Sequence, residues 1–226
     1  MILNASAEEP KSPFNTFYKT VGLMGCMSRI GTTTQAIQIV KYLMYYGAKA
    51  AYIEMNDSGF VKLITEYYSN VSMDHNLCKV IYQDVDMFYA QDKISEILKL
   101  DYDYFIYDYG VYAPSVNRIS YFEKNINIMV AGTKPSEIIQ LRRVLTDMYD
   151  KNIEYIFSFS DENEQQDILK MMENKASKTH FAVYSPDYFS YLVPSNKIYD
   201  PIFQIDDTLT ERPQQKKKPF WKWGGK

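Results

Sequence analysis

The sequence is poor in the residues that perform metal and redox chemistry. Its 226 residues include two cysteines, Cys26 and Cys78, and two histidines. A pair of cysteines offers no disulfide framework, so a reducing cytoplasm is the expected compartment. His75 and Cys78 stand three apart, as metal ligands often do, but no second pair remains to complete a four-ligand site. A structural role for both is the simpler reading. Long apolar runs are missing too, with nothing near the ~18 residues of a membrane span. Residues 1–17 are polar, carry Glu8 and Glu9, and read as a flexible or loosely docked arm rather than a secretory signal.

Positive charge is scarce in most of the chain and concentrated at one end. The net charge is −3, yet residues 212–226 carry +6 from Arg212 and five lysines, leaving −9 on the remainder. A body of that sign is a poor surface for nucleic acid, so DNA is not the expected partner. Tryptophan is equally localised: the chain's two, Trp221 and Trp223, both lie in the terminal KKKPFWKWGGK. Tyrosine is the opposite case, with 21 copies. Many are expected as half-buried fillers whose hydroxyls reach the surface.

What is present is an alternation of strands and helices. The stretch from Val21 to Asn56 reads as a buried strand (about 18–25), a loop ending Gly31-Thr32-Thr33-Thr34, an amphipathic helix and a second strand (about 50–55). Ala36, Val40 and Leu43 recur at helical spacing, and Gly47 supplies the stop. Further along, helices are expected over 58–68, after an Asp92 cap, from Pro135, where a first-turn proline is tolerated, and after a Ser160 cap. Strands are expected over 79–82, 101–110, 126–131, 154–159 and 180–184. This order predicts an α/β fold with a mostly parallel sheet and helices on both faces. Residues 18–205 are expected to form that single domain, with 206–226 as a basic aromatic tail.

The loop between the first strand and its helix is placed to receive an anion. A phosphate-binding loop reads G-x-x-x-x-G-K-[ST]. Aligned on Gly31, this chain has Cys26 for the first glycine, Thr32 for the lysine and Thr33 for the metal-binding hydroxyl. The amides of Gly31 to Thr34 at the helix N-terminus should still attract negative charge. Arg29 could substitute as a phosphate contact or point to solvent. Cys26 is either a thiol activated by the helix terminus or a small-residue filler. Alternation places Asp101 and Asp103 on one strand face and Asp108 on the other. Only Asp108 is kept for the site, as a metal or water contact or as a structural hydrogen-bond acceptor.

With those residues in view, the stretch from about 18 to 190 resembles the deviant-Walker ATPases of the ParA/MinD family. The resemblance implies a P-loop NTPase-like fold, and ATP or ADP with Mg²⁺ as the cofactor to test. It places Met27 at the family's signature lysine, Asn56 at the catalytic aspartate, Asp108 at the Walker B acid and Gly110 at the switch glycine. Ser185-Pro186-Asp187 falls where the family has a proline turn near the base. Both lysines and the catalytic acid are therefore replaced, as in the family's pseudo-ATPases, among them TadZ/CpaE-like proteins that localise secretion or pilus machinery. The implied function is a localisation or assembly adaptor with a protein partner, and a homodimer is compatible with it. The alternative is a slow Mg-dependent ATPase that needs a partner. MinD also ends in a basic aromatic membrane-targeting segment. By that likeness Lys216, Lys217, Lys218, Phe220, Trp221, Lys222 and Trp223 would meet an anionic membrane or a protein, placing the chain at the membrane's inner face.

Overall fold

The computed structural model describes residues 18–113, 116–149, 151–185, 187–190 and 197–204. Its centre is β1 (Lys19–Gly25), whose VGLMG run is buried from Val21 onward. It is flanked by β6 (Tyr104–Val111) and β7 (Ile126–Gly132), both parallel to it. Beyond β6 lie β2 (Ala50–Glu54) and β5 (Val85–Phe88). Beyond β7 lie β8 (Glu154–Ser158) and β9 (Thr179–Phe181), all in the same direction. Two further strands, β3 (Ser72–Asp74) and β4 (Lys79–Tyr82), run antiparallel at the far side. The nine-stranded order is β3-β4-β5-β2-β6-β1-β7-β8-β9. The expected fold is thus observed: a mostly parallel sheet, its central strands apolar along their length because helices cover them.

Helix α1 (Thr32–Tyr45) follows β1 and buries Ala36, Ile37, Val40 and Leu43 against the sheet. Helix α2 (Phe60–Tyr67) and the single-turn α3 (Ile94–Ile97) follow, then α4 (Arg118–Phe122), α5 (Pro135–Asp147) and α6 (Glu162–Met172). A last turn, α7 (Asp200–Phe203), returns to α1: Tyr42 donates its hydroxyl to Asp200 at 2.7 Å, and Tyr199 donates to buried Gln35 at 2.6 Å.

Several boundaries differ from the sequence reading. Asp92 is not a cap but sits inside a 3₁₀ turn, Gln91–Lys93. The cap of α6 is Asp161, one residue after Ser160; its carboxylate accepts from the Glu164 amide at 2.9 Å, and Glu164 reaches back to the Asp161 amide. This reciprocal pair satisfies two end-of-helix donors that a serine hydroxyl at 160 would leave bare. Strand β6 begins only at Tyr104 because Asp101 and Asp103 are diverted to Lys49, one to its ammonium and one to its amide. The tyrosines are also more buried than expected: Tyr42, Tyr52, Tyr107, Tyr121, Tyr155 and Tyr199 are among the largest fully buried side chains. The expected arm (1–17) and tail (206–226) lie outside the described residues.

Candidate functional site

Three neighbouring strand ends build the site. Pairing sets Leu23 of β1 and Glu54 of β2 level with Asp108 of β6. The β1–β6 register then slips: Gly25 pairs with Val111, so β6 carries an extra residue around Gly110. Gly110 has φ +71, and a Cβ there would stand 2.9 Å from that of Asn56. A glycine is required on both counts. The irregularity turns the chain just after Asp108, beside the loop that links β1 to α1.

That loop enters α1 through Gly31, at φ +92, with no side chain capping the helix. Arg29 also takes a left-handed backbone, φ +62. Alternating backbone hands of this kind gather amide hydrogens into an anion-binding concavity, and α1 has no acidic residue in its first turn to compete. A cavity of about 700 Å³ opens over Gly31, Thr32, Thr33 and Thr34. Arg29 is exposed at its rim, with Met27 and Ser28 beside it. Thr32 is buried, its hydroxyl folded back against Gly25, where an added Cβ would collide with it. It lacks the reach of a lysine to the cavity centre.

Asp108 is fully buried, and both of its oxygens are engaged. Thr33 donates its hydroxyl to Oδ2 at 2.6 Å, Tyr52 donates to the same oxygen at 2.9 Å, and the Gly110 amide donates to Oδ1 at 2.9 Å. Burial raises the Asp108 carboxyl above its ordinary value, and the three hydrogen bonds oppose that rise. Tyr52 is wholly buried, and desolvation followed by the nearby carboxylate holds its phenol well above its usual range, so it acts as a donor.

The acid and the amide at the end of β2 are occupied as well. Glu54 is buried, and its carboxylate accepts from Ser58 Oγ at 2.7 Å and from the Phe60 and Val61 amides at 2.6 and 3.3 Å. It therefore caps α2. Asn56 donates to the Asp108 carbonyl at 2.9 Å and accepts from the Ser58 amide at 3.0 Å. On the cavity's other side Phe159, Tyr184 and Tyr188 form an exposed aromatic rim, with the Phe159 and Tyr184 rings 6.0 Å apart.

The structure brings together Arg29, Gly31, Thr32, Thr33 and Thr34 around the cavity, with Asp108 beneath Thr33. Lys216, Lys217, Lys218, Phe220, Trp221, Lys222 and Trp223 lie outside the described residues, as does Pro186. Cys26 is 4% exposed, and burial pushes its thiol up to about 11, which leaves the filler reading. Tyr52 was not singled out from the sequence, although alternation back from Glu54 places it on the same face. A large polar-tipped residue in so apolar a strand needs a partner for its hydroxyl.

The residues present fit an anion better than a metal. The uncapped amides of α1 face an open cavity, which suits a phosphate group. A divalent cation would need oxygen from Thr33 and Asp108. The Thr33 oxygen keeps its lone pairs after donating its hydrogen, but the Asp108 carboxylate is fully buried and already accepts from Thr33, Tyr52 and Gly110.

No family model matches the chain, and no curated protein matches it in sequence. Its architecture, a central strand feeding a loop at a helix N-terminus with an acid-ended parallel neighbour, is that of the P-loop NTPase-like α/β folds. Within that class it has the fold of the ParA/MinD ATPases. The chain superposes on MinD of the Aquifex aeolicus MinC:MinD complex with a TM-score of 0.56 at 14% identity, covering 74% of this chain and 82% of that one. It is similar to a candidate plasmid partition protein of Borrelia burgdorferi bound to AMPPNP (TM-score 0.57, 13% identity, 83% and 97% covered). A third neighbour is apo McdA of Cyanthece (TM-score 0.54, 15% identity, 83% and 98% covered).

Proposed function

We propose that the chain is a ParA/MinD-like pseudo-ATPase that works as a localisation or assembly adaptor. One observation carries the reading: the buried Asp108 carboxylate is already satisfied by Thr33, Tyr52 and Gly110. In a catalytic P-loop that acid supports a metal, and the loop's lysines supply positive charge. Here Thr32 and Met27 stand at the lysine positions, and Asn56 is tied to backbone where an acid would orient water. Phosphoryl transfer depends on placed positive charge, and the loss of one such group costs about 2–4 kcal/mol of transition-state stabilisation. Several are missing together.

The helix terminus keeps the capacity to hold a phosphate, so the site serves as an anion or nucleotide sensor rather than a motor. One structural neighbour is a MinC:MinD complex, which supports a partner-bound role for a chain of this fold. Residues 206–226 would act as a tether to an anionic membrane surface at the cytoplasmic face, and a homodimer is compatible with the exposed loop. Among the described residues no helix is long and apolar enough to cross a membrane.

The experiment is phosphate release by purified protein with ATP and Mg²⁺, compared with a buffer control. No release above control is expected. A second reading, a slow partner-dependent ATPase, draws support from Arg29 at the cavity rim. Turnover that disappears in Asp108→Asn would replace the first reading with the second. Retention on duplex DNA at physiological salt would favour a third class, a DNA-segregation partner, which the acidic body disfavours.

A further inference from the structure

A second cavity, of about 530 Å³, opens at the other end of the sheet, below the start of β2. Its apolar walls are Met44 in the last turn of α1, Ala48 just after it, Leu77 from the β3–β4 turn, and Leu100 and Tyr102 ahead of β6. Its charged lining is unbalanced, with Asp74, Asp84, Asp86 and Asp101 against Lys49 and Lys79. Both lysines are already committed. Lys79 pairs with Asp86 at 2.7 Å, and Lys49 pairs with Asp101. The occupant that suits such a cavity is cationic and carries flat apolar groups.

The chain itself provides one. Helix α7 places Phe203 against Tyr42 and Tyr104, ring centroids 5.8 and 5.9 Å apart. The Tyr104 amide donates to the carbonyl of Lys49, a residue of the cavity wall, at 3.1 Å. The chain thus leaves its described part, at Gln204, at the cavity's end of the sheet. Twelve residues lead from there to Lys216. At ~3.3 Å each, an extended connection spans about 40 Å, enough to reach any wall of the cavity. A segment tethered at this range competes at an effective concentration of ~1 mM, so modest affinity suffices to seat it.

We propose that this cavity is the docking site of the chain's own Lys216–Trp223 segment. Phe220, Trp221 or Trp223 enters between Met44, Leu77, Leu100 and Tyr102, and the lysines face Asp74, Asp84 and Asp101 at the rim. Docked, the segment's aromatic residues are withheld from any membrane, so cavity and lipid compete for the same side chains. This goes beyond the adaptor reading and does not need the tether to exist.

The chain's two tryptophans, Trp221 and Trp223, both lie in this segment. Tryptophan emission, selected by red-edge excitation, therefore reports on the segment alone. In the full chain we expect the emission to be blue-shifted and several-fold less accessible to acrylamide than in the free peptide 205–226. The shielding should persist on dilution and weaken with salt. The double variant Asp84→Asn/Asp101→Asn removes two rim charges without changing shape, and asparagine tolerates the left-handed φ of +65 at position 84. It should raise quenching towards the free-peptide value. Ala48→Phe, which fills the cavity, should do the same by exclusion. Equal quenching of full chain and free peptide overturns the proposal, and so does shielding that neither variant changes. Shielding lost on dilution assigns the segment to a second copy and overturns it as well. Co-sedimentation with anionic vesicles is read separately. If it is absent while cavity-dependent shielding is present, the tether fails and the docking stands. If both hold, the double variant should bind vesicles several-fold more than the unaltered chain.

Discussion

Tyr52 and Thr33 donate to the same oxygen of Asp108, at 2.9 and 2.6 Å, from strand and helix on opposite sides of the acid. The two hydroxyls enclose a carboxylate that has no access to solvent. Removing the strand-side donor by Tyr52→Phe leaves the shape intact and deprives a buried acid of a hydrogen bond. The expected loss is about 1.5–3 kcal/mol in urea unfolding. An unchanged midpoint would mean that Thr33 and Gly110 alone satisfy the acid.

Tyr121 and Tyr155 give the opposite expectation. Both are buried, and neither hydroxyl has a hydrogen-bond partner among the described residues. Burying an unpaired hydroxyl is unfavourable, so Tyr121→Phe and Tyr155→Phe should be neutral or stabilising by up to ~1 kcal/mol. A clear loss of stability in either would reveal a partner for that hydroxyl.

The buried acid should also shape the dependence of stability on pH. Desolvation raises the Asp108 carboxyl above 3.8 in the folded protein. The folded state then holds that proton more tightly than the unfolded chain. Stability from this group falls as pH climbs from the ordinary value to the raised one, and is level above it. Subtracting the pH–stability curve of Asp108→Asn from that of the unaltered protein should leave a decline across this window. A difference that rises with pH would mean the hydrogen bonds outweigh burial.

Glu54 stands near the position of a catalytic acid but caps α2, so its loss should be felt in folding. Glu54→Ala strips acceptors from the Phe60 and Val61 amides and from Ser58. Loss of a cap costs about 1–2 kcal/mol, and amide exchange in Phe60–Tyr67 should accelerate. Unchanged exchange there would argue that the side chain serves some other group.

Anion affinity should reside in the loop. At Gly31 the backbone is left-handed, and a new Cβ would already touch Ser158 Oγ at 3.4 Å. Gly31→Val should therefore abolish the weak binding of inorganic phosphate or nucleotide that a titration of the unaltered chain is expected to show. Arg29→Ala should diminish it only if the arginine swings over the cavity. Binding that survives Gly31→Val unchanged lies elsewhere.

The tail can be tested by truncation before Lys216. Each lysine near an anionic leaflet is worth about 1 kcal/mol, so the five of the tail give ~5 kcal/mol at low salt. That corresponds to a dissociation constant near the millimolar range, which Phe220, Trp221 and Trp223 must improve by insertion. Vesicle binding should fall with salt and vanish on truncation. If the truncated chain sediments as well as the intact one, the tether is misplaced.

The frame of the fold was readable because its signals are periodic. Ala36, Val40 and Leu43 mark a helix face, and the run from Tyr104 to Gly110 marks a covered strand. Asp108 could be separated from Asp101 and Asp103 by parity alone. The β4–β5 hairpin was only half legible. Its turn is Gln83-Asp84, both at positive φ (47 and 65), where Asn-Gly is the usual signal. Strand pairing, not local preference, holds that turn. The engagement of Asp108 by Tyr52 was hidden for another reason. It depends on the register of β2 against β6, which no single segment encodes.

The two margins of the sheet are three residues long, Ser72–Asp74 and Thr179–Phe181, and every residue of the first is exposed. So short a row of free amides and carbonyls is a poor template for another chain's backbone. Ligands that recognise proteins by adding a strand would find little purchase on these margins. Among the described residues, recognition by a protein partner would fall instead on side chains at helices and loop tips, where substitution can change selectivity without disturbing the sheet.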